Sequence, residues 1–146
     1  MTARHVKSVT SYQLPATSRK PEAGSWNGVI HLSPITTHVL DVARGRPAAG
    51  VHVALEFQRG DGGDGWRLVG RGETDADGRL RTLIPTGDAA PGVYRLIFET
   101  RQYFDTLGQR GLYPRVVVEF EVAAGEAHYH VPLLLSPFGY STYRGF

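Results

Sequence analysis

The chain has 146 residues, a net charge of +2 and no cysteine. This length predicts one domain with its own core, and the lack of cysteine excludes disulfides, thiolate zinc sites and cysteine nucleophiles. No Lys/Arg run could follow a phosphate backbone, and no apolar stretch approaches the roughly 20 residues of a membrane span, so we expect neither nucleic acid nor a membrane as partner. With no apolar signal segment at the start, we expect a cytoplasmic protein.

Residues 1–30 are polar and mixed, and they show little strand-like alternation. We predict an N-terminal arm that is either loosely ordered or docked on the body, and the simplest interpretation is a dispensable tail. The alternative is that Trp26 and the apolar pair at 29–30 pack on a neighbouring subunit. The remaining residues, 31–146, are predicted to form a single domain.

From residue 35 onward, short apolar or alternating runs are separated by Gly, Pro and Asp clusters, a pattern typical of β-strands. The glycine- and aspartate-rich stretch at 60–65 is predicted to be a hairpin loop. The segment 100–108 interrupts the pattern and predicts one short helix that ends at Gly108. Eight strands at this spacing predict a two-sheet sandwich. The predicted strands are 35–43, 51–58, 66–72, 80–84, 92–99, 114–122, 128–135 and 140–145.

Alternation along each strand assigns its side chains to faces. Tyr94, Leu96 and Phe98 share one face of their strand and are predicted to lie in the core. His38 and His130 lie on the faces opposite their apolar neighbours, so each is expected to point out of a sheet. Spacing alone does not say whether the two histidines meet.

Histidine and arginine are the residues that could carry chemistry. His128 and His130, two residues apart on a strand, share a face and could bind a metal, but no third ligand is evident, so we expect none. Arg79 follows a turn, and Arg144 lies near the end of the chain. Either guanidinium could be an ordinary solvated charge, or a bidentate hydrogen-bond donor to the oxygens of a flat ligand.

Several motifs occur together along the predicted strands and turns. They are Ile-Thr-Thr-His-Val-Leu-Asp at 35–41, Gly-Arg-Pro-Ala-Ala-Gly at 45–50, Asp-Gly-Arg at 77–79, Gly-Val-Tyr-Arg-Leu at 92–96, Tyr-Pro at 113–114, and 128–145. In combination they resemble the 5-hydroxyisourate hydrolase family, also called transthyretin-related proteins. The C-terminal motif of that family, Tyr-Arg-Gly-Ser after a Ser-Pro-Phe-Gly-Tyr turn, is highly specific. The resemblance covers about residues 35–146.

The resemblance implies an all-β, prealbumin-like sandwich of two four-stranded sheets with one short helix. It also implies a homotetramer, a dimer of dimers, with active sites in a central channel. The implied reaction belongs to purine catabolism: after urate is oxidised, water opens 5-hydroxyisourate to 2-oxo-4-hydroxy-4-carboxy-5-ureidoimidazoline, with no metal or organic cofactor. By motif match, the catalytic residues are His38, Arg79 and His130, and the substrate-binding residues are Tyr143, Arg144, Gly145 and Phe146.

The sequence departs from the family pattern at Phe146, where the family has Ser. This leaves open an enzyme of the same fold that acts on another heterocycle, and, less favoured, a carrier of small molecules as in transthyretin. Residues 131–135 are apolar on both sides of their strand. Because a two-layer sandwich covers only one side of each sheet, the outward Pro132 and Leu134 suggest a subunit interface, unless a crossing loop covers them.

Overall fold

The computed structural model describes residues 32–60 and 65–146, which form nine strands and one helix. The predicted arm at 1–30 and most of the predicted loop at 60–65 lie outside the described residues. Within the described part, no helix has the length and apolar character needed to cross a bilayer. The elements are β1 (Ile35–Asp41), β2 (Arg46–Pro47), β3 (His52–Gln58), β4 (Trp66–Glu73), β5 (Arg79–Leu80), β6 (Gly92–Phe98), α1 (Thr100–Thr106), β7 (Val116–Val122), β8 (Tyr129–Ser136) and β9 (Gly139–Thr142).

The strands form two sheets, which confirms the predicted sandwich with one short helix; one sheet has the expected four strands, whereas the other has five, because two short strands pair with β1. The second sheet has the order β4-β3-β6-β7, and all its pairs are antiparallel. The first sheet has the order β2-β1-β8-β9, and β5 also pairs with β1. Because β8 occupies one edge of β1, the two-residue strands β2 and β5 share the other edge. The parallel pairing of β1 with β8 brings distant parts of the chain side by side.

The core lies between the inner faces of the two sheets. Leu96 and Phe98 of β6 are fully buried, as is Leu133 of β8, in agreement with the predicted faces. A side chain of this size contributes roughly 1.5–3 kcal/mol when it is removed from water, so the inner faces hold the sheets together. On the outer face of β8, Pro132 is buried beside Gly145, and Leu134 is half-buried. The apolar patch is therefore smaller than predicted, because the C-terminal segment (residues 139–146) covers part of it.

The helix ends where the sequence predicts. Gly108 has a φ of +64°, a left-handed conformation that costs glycine little. Its N–H donates to the carbonyl of Asp105 at 3.0 Å, and the N–H of Gln109 donates to Phe104 at 2.9 Å. These two bonds form a Schellman motif, which satisfies carbonyls that the last helical turn leaves free.

Two predicted strands differ from the structure. The run at 80–84 leaves the sheet after Leu80, because Ser33 pairs with it instead: the Ser33 N–H donates to Arg81, and the Ile84 N–H donates to the Ser33 hydroxyl at 3.0 Å. The run at 140–145 ends as a strand at Thr142. Gly145 then makes a separate bridge to His130, which returns the C-terminal segment to the sheet.

Candidate functional site

Three strands of the first sheet bring the predicted catalytic residues to one outer face. His38 of β1 lies directly opposite Arg79 of β5, and Thr36 of β1 lies opposite His130 of β8. Side chains opposite each other on neighbouring strands share a face, and so do positions two apart on one strand. His38, Arg79 and His130 therefore point to the same side, away from the core. In the direction of β1, His130 is offset from His38 and Arg79 by two residues, which corresponds to about 7 Å.

A tight turn before β5 fixes the position of Arg79. The Asp75 carboxylate accepts hydrogen bonds from the backbone N–H groups of Asp77 and Arg79, each at 2.9 Å, and these bonds lower its pKa below the ordinary value. Gly78 has a φ of +74°, and a Cβ there would lie 2.4 Å from the carbonyl oxygen of Val39. The turn therefore requires glycine at 78, and it holds the base of the Arg79 side chain against β1.

The same turn orients His38. The Nε2 atom of His38 lies 2.8 Å from the carbonyl oxygen of Asp77. Because a carbonyl only accepts, Nε2 carries the proton and Nδ1 has the lone pair in the neutral ring. Burial, followed by the positive charge of Arg79, lowers the pKa of His38 below its ordinary value of 6.5. At neutral pH the imidazole is therefore uncharged and has a free lone pair.

His130 is held from the other side by Thr36. The Thr36 hydroxyl oxygen lies 2.8 Å from Nδ1 of His130, and it also lies 3.1 Å from Nε2 of His128. Burial lowers the pKa of His130, and the positive charge of Arg79 lowers it further. Both outer-face imidazoles are thus neutral near pH 7, a state that suits proton abstraction.

The C-terminal segment closes one side of this face. The N–H of Gly145 donates to the carbonyl of His130 at 2.8 Å. A Cβ at Gly145 would lie 2.6 Å from Cδ2 of His130, so only glycine lets the backbone approach the ring this closely. Beyond it, the fully exposed Phe146 borders a cavity of about 220 Å³. The lining includes Thr36, Arg79, Arg81, His128 and His130.

The other two predicted substrate-binding residues face a different space. Tyr143 and Arg144 line a neighbouring cavity of about 440 Å³ beside β7. The Arg144 guanidinium donates to the Glu126 carboxylate at 2.8 Å and lies 4.5 Å from the centre of the Tyr129 ring. Within this chain, Gly145 and Phe146 are therefore next to the histidines and Tyr143 and Arg144 are not. Binding of substrate by these four residues stays a prediction.

The structure adds residues that the sequence reasoning missed. Thr36 and Asp75 hold the predicted site residues in place, and Arg81 supplies a second guanidinium to the cavity. Thr36 lies within a matched motif, but a threonine on a strand gives no signal of its own. The His128 and His130 rings are parallel with centres 6.5 Å apart. Among residues 32–60 and 65–146, no group of three His, Cys, Asp or Glu residues is arranged to hold a metal.

This arrangement can activate a water molecule and stabilise a negative charge. A neutral imidazole can take a proton from water, and a guanidinium beside it can hold a developing oxyanion. Of the two predicted catalytic histidines, His130 lines this cavity, while His38 lies beside it on the same face, next to Arg79. Such a set suits the hydrolysis of an activated carbonyl compound.

Comparison with known proteins agrees with this chemistry. The family model described as "HIUase/Transthyretin family" matches residues 35–145. The 5-hydroxyisourate hydrolase of Salmonella dublin is 50% identical over 111 residues, which cover 76% of this chain and 79% of that protein. The structure of Klebsiella pneumoniae 5-hydroxyisourate hydrolase superposes with a TM-score of 0.66 at 35% identity, covering 77% and 97% of the two chains. Sea bream transthyretin, solved in complex with thyroxine, gives a TM-score of 0.71 at 34% identity, covering 77% and 94%. The chain therefore belongs to the HIUase/Transthyretin family.

Proposed function

We propose that this chain is an enzyme that hydrolyses 5-hydroxyisourate to 2-oxo-4-hydroxy-4-carboxy-5-ureidoimidazoline, a step of urate degradation. The observation that carries the proposal is the shared outer face of β1, β5 and β8, where His38, Arg79 and His130 point to the same side. The names of the hydrolase relatives support the choice of substrate. The reaction needs an activated water and a stabilised oxyanion, and these three side chains supply both.

The imidazoles activate water and handle its proton. One neutral histidine removes a proton as the water oxygen adds to a ring carbonyl carbon, and this gives a tetrahedral oxyanion. The carbon–nitrogen bond then breaks, the nitrogen takes up a proton, and a carboxylate remains. General base catalysis of this kind contributes about 10²–10⁴ in rate. The lowered pKa values of His38 and His130 keep both rings in the competent neutral form at pH 7.

Arg79 stabilises the charge that develops on the carbonyl oxygen. The Asp75 carboxylate fixes the backbone of Arg79, so the arginine side chain starts from a defined position beside the site. A fixed backbone limits the directions that the side chain can take toward the oxyanion, and removal of a donor of this kind typically costs about 10²–10³ in kcat. Arg81 lines the same cavity and adds positive charge. The carboxylate of the product is held by the same charges.

We also propose that the chain works as a cytoplasmic homotetramer, a dimer of dimers. Support comes from the free edges of β7 and β9, which end their sheets without a partner strand within the described residues. Exposed apolar side chains lie on or near these strands: Val117 on β7, Tyr140 on β9 and Phe138 just before β9. Apolar surface beside an open sheet edge is typical of a subunit contact. Light scattering during size-exclusion chromatography gives the subunit count directly.

The experiment that tests the hydrolase proposal is a urate oxidase reaction followed by absorbance. Urate oxidase produces hydroxyisourate, whose absorbance then decays slowly without a catalyst. Addition of the purified protein should accelerate the decay, and His130→Gln should lose the acceleration while remaining folded. A folded wild-type protein that leaves the decay unchanged refutes the proposal.

A second candidate is a hydrolase of the same chemistry that acts on another heterocycle. The observation that favours it is Phe146, which borders the histidine cavity and lies just beyond the residues that the family model matches. A phenyl ring there narrows the entrance or stacks on a planar ligand. This candidate expects weak hydroxyisourate turnover by the wild type and partial recovery in Phe146→Ser. A carrier role expects tight binding of an aromatic ligand, no turnover, and no effect of His38→Ala.

A further inference from the structure

Thr36 lies between two imidazoles on the outer face of the first sheet. Its hydroxyl oxygen is 2.8 Å from Nδ1 of His130 and 3.1 Å from Nε2 of His128. The Thr36 side chain is buried, and no other hydrogen bond of its hydroxyl is formed within the described residues. The planes of the two imidazole rings are almost parallel, with an angle of 10° between them. The hydroxyl of Thr36 thus connects the two imidazoles through hydrogen bonds, and all three residues line the same cavity.

The number of available protons limits the directions of the two hydrogen bonds at Thr36. A threonine hydroxyl has one hydrogen to donate and can accept from other donors. If both imidazoles donated to Thr36, its own hydrogen would be buried without a partner, which is unfavourable. One ring therefore donates to Thr36 and the other accepts from it. The choice decides which nitrogen of His130 carries the proton.

The surrounding charge selects between the two arrangements. Since Nδ1 of His130 is occupied by Thr36, Nε2 is the ring nitrogen left for the cavity, which Arg79 and Arg81 also line. A lone pair on Nε2 is attracted by these guanidinium groups, whereas an N–H dipole pointing at them is repelled. This favours the proton on Nδ1. His130 then donates to Thr36, and Thr36 donates to Nε2 of His128.

From this geometry we infer that Thr36 and His128 are positioning residues that hold the proton on Nδ1 of His130 and present its Nε2 lone pair to the cavity as the general base. The inference deepens the proposed hydrolase function and rests on it for the role of the base. It also assigns the two imidazoles different parts. His38 uses Nε2 to donate to the carbonyl of Asp77, whereas Nε2 of His130 has no hydrogen-bond partner among the residues that the structure describes.

Nitrogen-15 NMR of the wild-type imidazoles tests the tautomer without a substrate. The expected spectrum at neutral pH shows His130 with a protonated Nδ1 and an unprotonated Nε2, the opposite of the tautomer that free histidine favours in water. In Thr36→Val, which keeps the β-branched shape but loses the hydroxyl, an N–H at Nδ1 would be buried without an acceptor, and this cost outweighs the pull of the two arginines, so the proton should move to Nε2. His52→Gln, an exposed histidine on β3, helps assign the signals and should leave the His130 pattern unchanged. A wild-type His130 with its proton on Nε2 overturns the inference.

Kinetics test whether the tautomer matters for the reaction. Thr36→Val should lower kcat on hydroxyisourate by about tenfold or more with little change in KM, because a positioned base acts in the transition state. Thr36→Ser, which keeps the hydroxyl, should stay within about threefold of wild type. His128→Phe should lower kcat by less than Thr36→Val does, because Thr36 remains as an acceptor. Equal kcat for Thr36→Val and Thr36→Ser overturns the positioning role.

The two kinds of measurement separate this inference from the proposed function. If the wild type fails to turn over hydroxyisourate but its His130 shows the Thr36-dependent Nδ1 proton, the tautomer assignment is supported and the hydrolase proposal fails. If turnover is present but Thr36→Val changes neither kcat nor the spectrum, the hydrolase proposal stands and the inference fails. Should Thr36→Val not fold, the exposed His128→Phe and the wild-type spectrum still decide the question.

Discussion

Replacement of Gly145 by alanine tests how closely the C-terminal segment must approach His130. A Cβ at this position would lie 2.6 Å from Cδ2 of His130 and 3.4 Å from Cγ of Pro132. Carbon atoms in contact normally stay about 3.5–4.0 Å apart, so the ring or the backbone must shift by about 1 Å. A displacement of that size in a reacting group can cost about 100-fold in rate. We expect Gly145→Ala to lower kcat/KM on hydroxyisourate by about this factor.

Stability should change far less than activity in this variant. The interaction at risk is the bond from the Gly145 N–H to the carbonyl of His130, worth about 1 kcal/mol. The matched control is Gly139→Ala, in the same segment, where the nearest atom to a new Cβ is Oγ of Ser136 at an ordinary 3.7 Å. Steady-state kinetics and thermal unfolding of both variants measure the contrast. If Gly145→Ala retains kcat/KM within threefold of Gly139→Ala, the close approach does not position His130.

Three further predictions follow from the electrostatics and the turn. Because the folded-state pKa values of His38 and His130 are lowered, kcat/KM should be at its maximum at neutral pH and should decline as the pH falls, with a midpoint below 6.5. The free energy of unfolding should also decrease as the pH falls through 6.5, since the unfolded chain binds these protons at a higher pH than the folded chain does. A midpoint at or above 6.5 contradicts the neutral-imidazole account. Arg79→Ala should lower kcat by about 10²–10³ and move that midpoint upward, whereas Arg79→Lys, which keeps the charge, should lower kcat without moving it. Unchanged kcat in both excludes an oxyanion role for Arg79. Asp75→Ala should lower the free energy of unfolding by about 1–2 kcal/mol in urea titration, and Asp75→Asn by less, because the amide keeps one acceptor oxygen for the two backbone N–H groups. Equal stability of wild type and both variants argues against the turn.

Local patterns in the sequence predicted much of the fold because they depend on neighbouring residues. Alternation placed Tyr94, Leu96 and Phe98 in the core, and all three are buried. Gly108 predicted the end of the helix because a left-handed residue after a helix favours glycine. The strand at 80–84 was predicted wrongly beyond Leu80, since an apolar run does not distinguish a strand from a buried loop held by the Ser33 side chain.

The site was predicted in part because its residues come from separated segments. The outward directions of His38 and His130 followed from alternation, but their proximity depends on the parallel pairing of β1 with β8, far apart in sequence. The hydrogen bonds of Thr36 depend on the same pairing, so no local pattern could reveal them. Arg144 matched a motif, yet its side chain points to Glu126, because residue type does not fix side-chain direction.

The most direct test of the central claim compares wild type, His38→Gln and His130→Gln in the decay of hydroxyisourate produced by urate oxidase. The account predicts that the wild type accelerates the decay and that each variant loses at least about 100-fold in kcat, since glutamine occupies similar space but cannot take a proton. A variant that remains folded and turns over hydroxyisourate at the wild-type rate would contradict it.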